Sequence, residues 1–157
     1  MRGGIGYGRP MALSNDTSPL AFIAGHAWAY PALETVHVFG VALLLGNLFA
    51  LEMRVWGHAR ELPLAALARL SLSLAIAGFG CAAASGLLMF ASQPGDLIAN
   101  QVFVLKMGLV ASAGVNAAVF HARHGLQRLD TWARAQTALS LGLWITVMIC
   151  GRWIAYR

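Results

Sequence analysis

Glu34 and His37 stand one helical turn apart in PALETVHVFG, at the head of a long apolar run. Lys106, the only lysine of the chain, lies in VFVLKMGLV, and Arg152 lies in the closing GRWIAYR. These residue types can do specific chemistry. An imidazole nitrogen binds a metal ion, a guanidinium clamps a carboxylate, and a carboxylate can orient an imidazole from behind. Inside a membrane helix an ionisable group costs roughly a few kcal/mol. It therefore faces the bundle interior, pairs, or reaches back to the interface. Each of the four also has a plain reading. Glu34 can be an interfacial carboxylate or the partner of Arg152. Arg152 and Lys106 can snorkel, and His37 can be a neutral imidazole bonded to Glu34 or to a backbone carbonyl.

The chain that must position them has 157 residues, 59% hydrophobic and 11% charged. That composition leaves too little polar surface for a soluble globule and points to one integral-membrane domain. Four stretches are apolar enough to cross a bilayer, at roughly 32–53, 65–91, 101–122 and 135–156. The expected fold is all-α, an up-down four-transmembrane-helix bundle over residues 18–157, preceded by a disordered tail at 1–17. The tail lacks the apolar core of a signal peptide, and Met11 is an alternative start. SPLAFIAGHAWAY reads as a short interfacial helix that Pro31 ends, with Trp28 and Tyr30 at the boundary.

The net charge of +5 has no soluble basic domain to hold it, so no nucleic-acid partner is expected; the lipid bilayer is the expected partner. The arginines report topology instead. Arg54, Arg60, Arg123, Arg128 and Arg134 fall on one side, while the loop between spans 2 and 3 carries Asp96 and no basic residue. The positive-inside rule puts the arginine-rich loops in the cytoplasm. Both termini of a bacterial inner-membrane protein would then be periplasmic.

Shifted by 69 residues, the chain partly overlays itself: Asn47 meets Asn116, Arg54 meets Arg123, Cys81 meets Cys150, and LSL at 70–72 meets LSL at 139–141. Two duplicated helical hairpins would give this pattern. In span 2, Ser71, Ala75, Gly78, Ala82, Ser85 and Gly86 recur at helical steps, as a close-packing seam does. On span 1, Glu34, His37, Val41, Leu45 and Leu48 share a face. On span 3, Lys106, Val110, Ala113 and Ala117 do. If both faces point inward, His37 and Lys106 meet. A second group, Glu52, His58, His121 and His124, gathers at the arginine side. There solvation is cheap; His121 is the one placed a turn inside its helix. His37 and His121 differ in depth by roughly 20 Å and cannot share one iron. His37 with Lys106, His37 with His26, or His58 with His121 can. Cys81 and Cys150 both sit in apolar runs and read as free thiols, with neither a disulfide framework nor a zinc spacing.

ETVHVFGVALLLGNLFALEMRVWG, the Gly/Ala-rich second helix, FVLKMGLVASAGVNAAVFHARH and GRWIAYR resemble a family of uncharacterised bacterial four-helix inner-membrane proteins, a domain of unknown function. The resemblance covers roughly residues 28–156. More distantly, the layout is similar to the group that includes the copper-resistance protein CopD and the HemJ-type protoporphyrinogen oxidases. In HemJ-type proteins a first-helix histidine and a third-helix lysine are implicated in holding haem b, and His37 and Lys106 stand at the matching positions. The C-terminal signature of the HemJ enzymes is missing, so the resemblance does not reach to the oxidase activity.

It implies haem b in the outer half of the bundle, with His37 on the iron and Lys106 as second ligand or as the cation facing a propionate. Arg152 would pair with a propionate, and Glu34 would orient the His37 ring. The implied role is electron transfer with a quinone or a redox protein, rather than catalysis by residues of this chain. One alternative is a cofactor-free structural or accessory subunit, in which Glu34–Arg152 and His37–Lys106 fix helix register. Another is a copper site of His37, Met89, Met107 and His26. A homo-oligomer is compatible with all three.

Overall fold

The structure, a computed structural model, describes residues 28–154. Six helices follow one another: α1 (Ala29–Val55), α2 (Leu64–Ser92), α3 (Pro94–Ala99), α4 (Gln101–Ala122), α5 (Gly125–Arg128) and α6 (Thr131–Ile154). Four of them, α1, α2, α4 and α6, are long and apolar enough to cross a membrane. At 1.5 Å rise per residue they run about 33 to 43 Å, against about 30 Å of hydrocarbon. The protein is an all-α, multi-pass membrane protein built as a four-helix bundle. Its tail at 1–17, residues 18–27 of the expected interfacial helix, and His26 lie outside the described residues. One detail of that expectation is corrected. Pro31 does not end a preceding helix but is the third residue of α1. In a first turn its missing N–H costs nothing, because that donor has no partner within the helix.

Side-chain caps start the second hairpin. Asn100 accepts from the Val102 and Phe103 amides at 2.9 and 3.4 Å, opening α4. Asp130 accepts from the Ala133 amide at 2.7 Å, opening α6. Asn100→Ala is expected to lower stability by about 1 kcal/mol, read by unfolding in detergent; an unchanged midpoint would show that the cap is dispensable. The arginines organise the turns at their end. Arg54 donates to the Leu62 and Arg60 carbonyls at 2.9 and 3.2 Å, closing the α1–α2 loop. Arg123 stacks over the Trp132 ring at 5.4 Å.

The tightest packing joins α1 to α2. A Cβ on Gly40 would lie 2.7 Å from the Ala82 nitrogen and from the Gly78 oxygen, and one on Gly78 would lie 2.7 Å from the Gly40 oxygen and the Leu44 nitrogen. Backbone touches backbone, which only glycine permits. The buried face of α2 is Ala68, Ser71, Ala75, Gly78, Ala82, Ser85 and Ser92, largely the small-residue seam expected. The second hairpin, α4 with α6, is held differently. Asn116 Nδ2 donates to the Gln136 carbonyl at 3.0 Å, and Ala113 is the one buried residue of α4. The positions that the 69-residue shift sets over Gly40 and Gly78 are Leu109 and Val147. Helices pair as two hairpins, but their contact surfaces are not copies.

The hairpins meet where α1 lies against α6. Trp56 Nε1 donates to Thr137 Oγ1 at 2.9 Å. On the α2 side, Phe79 meets Trp144 edge-on at 6.1 Å, and Phe90 stacks on Phe103 at 5.6 Å.

Candidate functional site

His37 is half-buried on α1 and leans on α2. Its Nδ1 is 2.8 Å from the Ala82 carbonyl oxygen and 3.3 Å from Ser85 Oγ. A carbonyl only accepts, so Nδ1 carries the hydrogen and donates it. The Ala82 carbonyl is free to take a second bond because an oxygen has two lone pairs. Gly86 forms the floor beneath the ring: a Cβ there would come within 3.2 Å of Cε1. The ring is therefore fixed by a carbonyl, a hydroxyl and a glycine of the neighbouring helix. From the sequence, orientation of this ring is expected of Glu34. In the structure Glu34 is exposed, and the Ala82 carbonyl makes the bond instead.

Lys106 is half-buried on α4 and leans on α6 in a parallel way. A Cβ on Gly151 would lie 3.4 Å from its Nζ, and Cys150, 5% exposed, is beside it. Each of the two groups thus rests on a glycine of its own hairpin partner, His37 on Gly86 and Lys106 on Gly151. Arg152 is exposed in the last turn of α6, one residue beyond that glycine. Met107 is 43% exposed, and Met89 is partly buried on α2. Among the described residues no three of His, Cys, Asp and Glu gather as a metal site.

The second group divides in a way that overturns the expectation. His58, His121 and His124 are exposed. His121, expected a turn inside its helix, is the penultimate residue of α4 and shares a hydrogen bond with the Ala117 carbonyl of the same helix at 2.9 Å. His121 and His124 line a small cavity of about 170 Å³ with Phe120, Gly125, Leu126 and Gln127. Glu52, expected to be cheaply solvated, is only 4% exposed, and its Oε2 has no hydrogen-bond partner. Ser140 of α6 faces its carboxyl. The sequence did hold a signal for this. Glu52 falls at helical spacing from Leu44 and Val55, both on the buried side of α1, so its distance from the helix end misleads. The thiols are free, with Cys81 exposed and Cys150 buried. Comparison with known proteins adds no relative: no family model, no curated protein and no solved structure matches the chain.

Proposed function

We propose that this is a bacterial inner-membrane protein, with both termini periplasmic, that binds haem b between His37 and Lys106 for electron transfer with a quinone or a redox protein. The observation that carries the reading is the His37 Nδ1 bond to the Ala82 carbonyl at 2.8 Å. That bond fixes the tautomer and leaves the Nε2 lone pair for a metal, the arrangement that metal-binding histidines adopt. Haem, when bound, supplies one-electron redox chemistry. His37 binds and orients it. Lys106 faces it either as a neutral amine or as a countercharge to a propionate. Arg152 is at the same end of the bundle and suits the other propionate.

One observation also favours the structural alternative. The His37 bond ties α1 to α2 beside the Gly40–Gly78 crossing, so it can serve register alone. An absorbance spectrum separates the two. Protein purified in detergent after haem-sufficient expression is expected to show a Soret band, with sharp bands on reduction. A folded, colourless protein would overturn the haem reading in favour of a structural subunit, and bound copper without a Soret band would turn it to a copper-handling one.

A further inference from the structure

Glu52 is the acid for which haem binding has no use. It lies 15 residues from His37 on α1, about 22 Å along the axis, so its role is independent of the haem. The residue is only 4% exposed, with Oε2 lacking any donor. The charged and titratable groups on the elements around it are turned to other partners or to the surface. On its own element, Arg54 donates to the Leu62 and Arg60 carbonyls. In the following loop, His58 is exposed and Arg60 Nε donates to the Gly57 carbonyl at 3.0 Å. On α2, Arg69 is exposed; on α6, Arg134 is exposed; on α4, His121 is exposed. Among the described residues no cation pairs with Glu52, and Ser140 of α6 faces its carboxyl. A carboxylate buried without a countercharge is among the costliest groups a membrane interior can hold, whereas a carboxylic acid is not.

We infer that Glu52 is a proton-binding site within the membrane, a carboxyl that takes up a proton and exchanges it with the arginine-rich side. The way in is short. Trp56 stands four residues on, about 6 Å along the axis, just past the end of α1, and its indole is latched to Thr137. Ser140 lies one turn from Gln136 on α6, whose carbonyl bonds Asn116. Polar groups thus continue from the acid to the helix end. Binding and release are the simple exchange of one proton between Glu52 and water, with no other reactant.

The test is infrared spectroscopy of the full-length protein in detergent. The wild type is expected to show the C=O stretch of a buried carboxylic acid at pH 7, shifted in heavy water and lost as the pH is raised. Glu52→Gln, nearly isosteric, is expected to lose that band, while Glu34→Gln keeps it. Absence of the band from the wild type at pH 7, or its survival in Glu52→Gln, would overturn the assignment. Loss of the band on adding sodium at fixed pH would also overturn it, replacing the proton with a metal cation. The wild-type titration decides the matter even if the variant does not fold.

Discussion

Gly78→Leu is expected to force α1 and α2 apart and to cost about 3 kcal/mol or more, at the upper end of what overpacking does. A Cβ at this position would meet the Gly40 oxygen and the Leu44 nitrogen at 2.7 Å. Both are backbone atoms, so no rotamer change relieves the clash and a whole helix must move. The move would also pull Ala82 from His37, because the bond between them lies one turn along the same seam. Gly80→Ala is the control. Nothing lies within 4 Å of a Cβ there, and alanine is the better helix former by up to about 1 kcal/mol. Unfolding both variants in mixed micelles checks the contrast. Equal stability would mean that the close crossing contributes nothing.

His37→Ala is expected to abolish the Soret absorbance entirely under the haem reading. It also removes the bond that α1 donates to Ala82, worth about 1 kcal/mol, so it should be destabilised but folded. His121→Ala should spare both properties, since that ring is exposed and bonded within its own helix. Equal loss of pigment in the two variants would move the site away from His37. Lys106→Met sharpens the result. If Lys106 meets the haem, the variant changes the spectrum or the yield of pigment. If the layer is structural, the variant is tolerated or more stable, as replacing a buried ionic group by an apolar one often is.

The spans and the small-residue seam of α2 were legible because both are local patterns: apolar length, and Gly, Ala and Ser at helical steps. Gly78 belongs to that seam, but its partner Gly40 carries no such mark, because a lone glycine in an apolar helix has no periodic companion. What holds the His37 ring is not legible in the sequence, because the acceptor is the Ala82 carbonyl, and every residue has one. Glu52 was misplaced for a related reason. Distance from a helix end measures depth in the bilayer, whereas burial depends on which way the side chain turns. Here α6 covers the end of α1, so Glu52 is shielded by a neighbouring helix rather than by lipid depth.

The unequal hairpins bear on the order in which the protein is made. The groups that hold the His37 ring, the Ala82 carbonyl, the Ser85 hydroxyl and Gly86, are encoded before residue 93, whereas Lys106 and its floor at Gly151 emerge later. The glycine crossing joins helices that are neighbours along the chain, so it can close while the ribosome is still translating α4. The half-built protein would then present a finished imidazole perch with one side open, and the second hairpin would arrive as its wall. Crosslinking between α1 and α2 at positions flanking the two glycines, in nascent chains stalled beyond α2, should therefore match that of the complete protein; weak crosslinking until α6 is released would reverse the order.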